Sequence, residues 1–194
     1  MTDYQLILAS GSPRRRELLE RVGLRFTVQA ADVDETLVPG LSPQEQVMRL
    51  SRLKAQAVQA PQGAAVLSAD TVVVLDGAIL GKPADRADAR RMLLALSGRS
   101  HHVLTGVTLR KDGQLDTRCQ DTEVWFRPMT EPEIDGYIAT GEPMDKAGAY
   151  GIQGGASLFV ERLDGDYFNV VGLPLCTVGQ MLRDAGIPLL EADA

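Results

Sequence analysis

The chain has 194 residues, 44% of them hydrophobic and 24% charged, with a formal net charge of -6. That mixture suits a globular fold with a real core and excludes disorder, a collagen repeat and a disulfide scaffold. The acidic balance argues against broad capture of nucleic acid or of an anionic membrane surface.

The start carries no basic segment, and the apolar run after it stops at Ala9, too short for a signal peptide. No apolar run approaches the ~18 residues of a membrane span. Cys119 and Cys176 stand far apart in no metal-like spacing and read as reduced thiols. A cytoplasmic location is expected.

In chain order, residues 4–9 read as a buried strand broken by Ser10-Gly-Ser-Pro. Ser12 is placed to cap a helix over 13–22, with Pro13 at its first position and Gly23 as its stop. A second strand over 25–30 leads into an acidic loop with Asp32, Asp34 and Glu35. Ser42-Pro-Gln-Glu45 is a capping box opening a helix over 43–59, with Val47, Leu50, Lys54 and Val58 at helical spacing. Residues 65–75 form a nearly continuous apolar strand, and Asp76-Gly77 is a hairpin turn into 78–80. Asp85 caps a helix ending near Gly98. Strands over 102–110 and 115–126 flank the Asp112-Gly113 turn. Thr130-Glu-Pro-Glu133 is a second capping box, whose helix ends at Gly141. A glycine-rich stretch, 147–155, precedes a strand over 157–162 that Asp164-Gly165 turns. Pro174 starts a last amphipathic helix ending near Gly186.

Hairpins interrupt the alternation of strands and helices. The expected class is therefore α/β in the mixed α+β sense: a mixed central sheet flanked by helices. The linker-like stretches 36–41 and 141–147 are short. They suit one domain over 1–194, with two lobes sharing a cleft.

Several residues carry candidate chemistry. The Ser-Gly-Ser-Pro turn feeds a helix N-terminus followed by Arg14, Arg15 and Arg16. Free N–H groups, two hydroxyls, a glycine and forked guanidinium donors suit a phosphate. Three cations in a first helical turn oppose the dipole, so they call for an anionic partner. No Walker motif occurs. Asp70 lies inside an apolar strand, where a carboxylate is costly unless paired, hydrogen-bonded or metal-bound. It is either a carboxylate satisfied by a neighbouring arginine or a base or metal ligand facing a cleft. The chain has four lysines against sixteen arginines. Lys54, Lys82 and Lys146 sit where a compact point charge is useful, whereas Lys111 reads as a solvated turn residue. The stretch from Asp145 to Gly155 is either a mobile surface loop or a loop folded around a ligand, with Gln153 offering an amide to a base edge. His101 and His102 read as surface residues, and Trp125 and Phe126 as core. No serine-hydrolase elbow or zinc motif is present. Unaided, these residues suggest an enzyme acting on a phosphorylated small molecule.

The segments together resemble the Maf family of nucleotide pyrophosphatases. The matching runs are Leu8-Ala-Ser-Gly-Ser-Pro-Arg-Arg, Val33-Asp-Glu, Leu53-Lys-Ala, Ala69-Asp-Thr-Val-Val, Gly81-Lys-Pro, Leu96-Ser-Gly, Asp145-Lys-Ala-Gly-Ala-Tyr-Gly-Ile-Gln-Gly and Val171-Gly-Leu-Pro-Leu. The resemblance implies an elongated mixed sheet with a central cleft. It implies hydrolysis of a nucleoside triphosphate to the monophosphate and diphosphate with a divalent metal, Mg²⁺ or Mn²⁺. Under it, Asp70 is the proton acceptor, with Glu35, Lys54 and Lys82 in the catalytic set. Ser10, Ser12, Arg14, Arg15 and Lys146 bind phosphate, and Asp70 and Glu35 hold the metal.

Arg14, Thr71 and Gln153 match the subgroup that acts on dTTP and UTP, a role that extends to modified pyrimidine nucleotides. The 7-methyl-GTP subgroup instead tends to carry Trp, Gln and Glu there. Leu53 stands where an acidic residue is common. The competing readings are a 7-methyl-GTP pyrophosphatase and a non-catalytic nucleotide-binding regulator of cell division. The expected partner is the nucleotide substrate, with no nucleic acid and no membrane. A homodimer is expected only because two-fold assemblies are the commonest.

Overall fold

A computed structural model describes residues 4–189. Residues 1–3, on which the reading of the chain start partly rests, lie outside the described residues, as do 190–194. The described chain forms a mixed sheet of seven strands in the order β2-β1-β3-β5-β6-β7, with β4 paired to β3. The strands are β1 (Leu6–Leu8), β2 (Thr27–Val28), β3 (Ala65–Leu75), β4 (Ala78–Leu80), β5 (Ser100–Lys111), β6 (Gln114–Phe126) and β7 (Val160–Asp164). β1 runs parallel to β2 and β3, whereas β3–β4 and β6–β7 are antiparallel. The α-helices are α1 (Pro13–Arg21), α2 (Pro43–Ala57), α3 (Arg86–Leu96), α4 (Glu131–Ala139), α5 (Tyr167–Val171) and α6 (Leu175–Asp184). Among the described residues no helix is long and apolar enough to cross a membrane.

Local chemistry explains most of these boundaries. The apolar run of β3 is buried at ten of its eleven positions. It turns through Asp76 and Gly77, both at positive φ (51° and 79°), the pair a tight primed hairpin requires. α2 opens with the full capping box: Glu45 N–H donates to Ser42 Oγ, and Ser42 N–H donates to Glu45 Oε2 at 2.8 Å. α1 differs from expectation, because Ser12 holds the N-cap position without closing a capping bond. The strand expected over 157–162 starts at Val160 instead. Gly155–Leu158 is a 3₁₀ turn that leaves Leu158 72% exposed. The strand expected over 25–30 shrinks to two residues. α5 was not anticipated, since five residues reading Tyr-Phe-Asn-Val-Val favour a strand by propensity.

The chain divides into two compact units. One comprises residues 1–70, 105–120 and 172–194; the other comprises 71–104 and 121–171. The core of the first includes Ile7, Ala9, Val58, Ala64 and Val66. The second is built around an aromatic cluster in which His101, Phe126 and Tyr150 meet edge to face, at centroid separations of 4.8–5.3 Å. Two expectations change here. His101 is buried, with Nε2 hydrogen-bonded to Tyr150 Oη at 2.8 Å; only His102 faces out. Trp125 is half-buried under the Arg162 guanidinium, 4.4 Å from the ring centroid, while Phe126 takes the core position.

Candidate active site

In the first unit the turn between β1 and α1 carries Ser10, Ser12, Arg14 and Arg15. Ser10 is buried, and its hydroxyl accepts from Ser12 N–H and from Arg15 Nη1, each at 3.2 Å. Arg15 also donates through Nε to the Gly172 carbonyl at 2.8 Å. Enclosure lowers the pKa of the Arg15 guanidinium, while the negative charge of Asp70 pulls the other way. A guanidinium stays charged in either case, so Arg15 is a fixed cation braced behind the turn. Arg14 is half-buried. Arg16 reaches Glu20 one turn along α1 at 3.6 Å, so it has an acidic partner of its own. Of the three arginines expected to need an anionic partner, Arg16 thus finds one on its own helix.

The second feature of this unit is a cation between two carboxylates. Lys54 Nζ lies 2.6 Å from Asp70 Oδ1 and 2.9 Å from Glu35 Oε1. The Lys54 and Asp70 side chains are only 10% and 9% exposed, whereas Glu35 is 60% exposed. Of the open alternatives for Asp70, direct satisfaction thus comes from a lysine one strand-to-helix contact away. Among the described residues no cluster of three or more His, Cys, Asp or Glu side chains could hold a metal ion alone.

Three sets of residues that the sequence did not flag hold this arrangement. Ser68 of β3 donates to the Ser51 carbonyl of α2 at 2.6 Å, and Ser51 Oγ meets Thr108 Oγ1 of β5 at 2.9 Å. These buried bonds fix α2, and so Lys54, against the strand that carries Asp70. Gln46 is 3% exposed; its amide accepts from Val38 N–H and donates to the Val38 carbonyl, tethering the acidic loop. Arg49 adds a bond to the Thr36 carbonyl at 3.3 Å, beside Glu35. Gly106 lets α2 approach β5 closely: a Cβ there would meet the Val47 carbonyl and lie 2.8 Å from Met48 N. The available signal was a glutamine and a serine on the buried side of α2 and a glycine within an apolar strand. Lys111, read as solvated, instead donates to the Ala185 carbonyl at 2.6 Å.

The second unit carries Thr71, Lys82, Lys146 and Gln153. Thr71 follows Asp70 along β3 and is half-buried. Lys82 is exposed after β4, where the Gly81 carbonyl accepts from Gly148 N–H at 3.0 Å. Lys146 donates to the Glu142 carbonyl and to Asp145 Oδ1, each at 2.7 Å. Gln153 is exposed at the tip of the glycine-rich segment. That segment is a folded loop, with Gly148 at positive φ and Ala149 and Tyr150 buried beneath it. No hydrogen bond or ion pair joins Lys82, Lys146 and Gln153 to one another among the described residues.

A helix N-terminus beside guanidinium groups can take a phosphate oxygen, and the same unit sets two carboxylates on one lysine. The chain belongs to the Maf family: the family described as Maf-like protein matches residues 5–185. It is 54% identical over 191 residues to a dTTP/UTP pyrophosphatase of Symbiobacterium thermophilum, covering 98% of each chain. It is 53% identical over 190 residues to a dTTP/UTP pyrophosphatase of Anaeromyxobacter dehalogenans, covering 95% of this chain and 96% of that one. The solved structure of a HAM1 protein from Coxiella burnetii shares the fold. Its TM-score is 0.53 at 18% identity, over 94% of this chain and 100% of that one.

Proposed function

We propose that this protein is a nucleoside triphosphate pyrophosphatase that hydrolyses dTTP and UTP to the monophosphate and diphosphate. The observation that carries the reading is the Asp70–Lys54–Glu35 cluster held beside α2 in the same unit as the Ser10–Arg15 turn. Relatives about half identical over nearly the whole chain bear the same activity in their names.

A triphosphate carries about four negative charges, and the protein is net acidic, so binding rests on local focusing. Arg14, Arg15 and the turn's N–H groups take phosphate oxygens, with Lys82 and Lys146 as further point charges. Asp70 orients a water and takes its proton as the oxygen attacks the α-phosphorus. The bond from the α-phosphorus to its bridging oxygen breaks, and diphosphate leaves. Lys54 pairs with the Asp70 carboxylate at 2.6 Å and holds it in place. Water attacks poorly without such alignment, and proton transfer to a placed carboxylate contributes about 10²–10⁴-fold. Asp70 and Glu35 lie close together, both in contact with Lys54 Nζ, and one or two carboxylates completed by substrate phosphates is the usual donor set for Mg²⁺ or Mn²⁺. These two residues would hold such an ion, which when bound would neutralise phosphate charge. A cytoplasmic location fits a substrate drawn from the nucleotide pool.

Gln153 and Thr71 read the pyrimidine. An amide offers both a donor and an acceptor, matching O4 and N3–H of uracil and thymine; cytosine reverses that pattern and leaves both unpaired. Diphosphate release from dTTP, UTP, CTP, GTP and 7-methyl-GTP, with Mg²⁺ or Mn²⁺, tests the reading. We expect dTTP and UTP to exceed CTP by about 100-fold or more in kcat/KM. Equal cleavage of CTP, or activity on 7-methyl-GTP alone, would contradict it. Nucleotide binding without release would favour the regulator instead.

A further inference from the structure

In the second unit, Glu142 is tied to the segment that carries Gln153 at both ends. Its Oε2 accepts from Gly155 N–H at 3.0 Å, and its Oε1 accepts from Tyr137 Oη at 2.9 Å. That same tyrosine hydroxyl accepts from Gly151 N–H at 3.1 Å. One carboxylate thereby closes the turn from Gly151 to Gly155, directly at one end and through Tyr137 at the other. Burial, and then the Glu142 charge, raise the pKa of Tyr137, so its hydroxyl keeps the proton that it donates.

Packing leaves the carboxylate little choice. A Cβ at Gly154 would collide with the Glu142 carboxylate, and one at Gly151 would lie 2.7 Å from the Lys146 stem and 3.3 Å from Glu142 Oε1. Both glycines are at negative or extended φ, so they are required for space rather than for backbone conformation. Between them, Ile152 is buried and Gln153 points outward. The Gly154 N–H to Gly151 carbonyl bond at 3.1 Å completes the turn. Nothing in the catalytic reading uses Glu142 or Tyr137, yet they account for how a glycine-rich segment keeps one backbone path through Gln153.

We propose that Glu142, relayed by Tyr137, is a positioning residue for pyrimidine selectivity: its carboxylate holds the Gly151–Gly155 turn so that Gln153 meets the base in one orientation. This rests on Gln153 reading the base. A pre-placed amide contributes to discrimination because no ordering cost is incurred on binding; a loose one can turn over and accept cytosine as readily as uracil.

The test compares wild type with Glu142→Ala, Glu142→Gln, Gln153→Ala and the double variant Glu142→Ala/Gln153→Ala. Each is assayed on UTP and CTP, with amide exchange at Gly151 and Gly155 and a thermal melt to establish folding. For Glu142→Ala we expect KM for UTP to rise about tenfold with kcat within about threefold, the equivalent of one lost hydrogen bond. The UTP preference should fall to the level of Gln153→Ala. Glu142→Gln, which keeps one acceptor, should recover part of it. Exchange at both amides should quicken about tenfold or more. The double variant should lose no more selectivity than Gln153→Ala, because both act through one amide. A folded Glu142→Ala protein that keeps its UTP preference would overturn the proposal, as would additive losses in the double variant. If Gln153→Ala leaves the preference unchanged, the base-reading assignment has failed and the proposal falls with it. The exchange rates then tell that failure from an absent tie.

Discussion

Lys54 has two acidic partners, and their unequal burial separates their roles. Asp70 is nearly enclosed with the lysine, where removing either partner would leave a buried charge unpaired; Glu35 is mostly solvated and loses little if the contact breaks. At the same scale, His101 carries a measurable consequence of burial. Its pKa is pushed down to about 3 by burial, with the neighbouring His102 charge adding to the effect. Between the ordinary value near 6.5 and about 3, the unfolded chain binds a proton that the folded one does not, so stability rises with pH across that window. Denaturant unfolding of wild type and His101→Gln from pH 7 to pH 4 tests this. The stability advantage of the wild type should shrink by about 1 kcal/mol per pH unit below pH 6. A pH-independent difference would contradict it. The adjacent histidines were legible as alternating across a strand. Which one faced inward was not, because that depends on β6 and on the aromatic ring of Tyr150, far along the chain.

α2 carries Lys54, and its placement is set by a contact the sequence only hints at. Val47, Leu50 and Lys54 share its buried side, so the helical spacing already put an ammonium on the face that packs inward. What it met there, Asp70, was legible as a costly buried carboxylate. The pairing of the two was not, since Lys54 and Asp70 lie on separate elements. At Gly106 the strand β5 comes close to the α2 backbone. We expect Gly106→Ala to cost about 1–3 kcal/mol, because the added methyl presses on the α2 backbone rather than on a flexible side chain. Displacing α2 also displaces Lys54, so kcat should fall at least about tenfold. Chemical denaturation and steady-state kinetics read the two effects, and a variant with native stability would refute the close packing. Elsewhere, strong local chemistry fixed boundaries well. β3 and β4 fall where the apolar run and the Asp-Gly turn placed them. The strand before Asp164 moved because Gly154 and Gly155 serve the Glu142 turn, and that tertiary demand overrides an apolar-looking run.

For the whole molecule, a mixed sheet followed from the interruption of strand–helix alternation by two Asp-Gly hairpins, and that reasoning holds. Where the chain passes from one unit to the other did not follow. The stretches 36–41 and 141–147 read as linkers, yet each lies inside one unit; three boundaries fall within β3, β5 and β6, after Asp70, Leu104 and Gln120, and a fourth follows Val171 at the end of α5. A continuous strand gives no compositional sign of such a boundary. The candidate segments were nonetheless readable, because strand–turn–helix junctions, buried charges and glycine clusters are local features; their supports, Gln46, Ser51, Gly106 and Glu142, act through partners remote in sequence. In the proposed reaction Asp70 is the group that activates water. The direct measurement is diphosphate release from UTP by Asp70→Asn, alongside nucleotide affinity for the same protein. The variant keeps the shape of the side chain and removes its basicity. Turnover should drop by about 10²–10⁴-fold while the dissociation constant for UTP stays within a few-fold. Turnover close to wild type, or loss confined to affinity, would contradict the assignment.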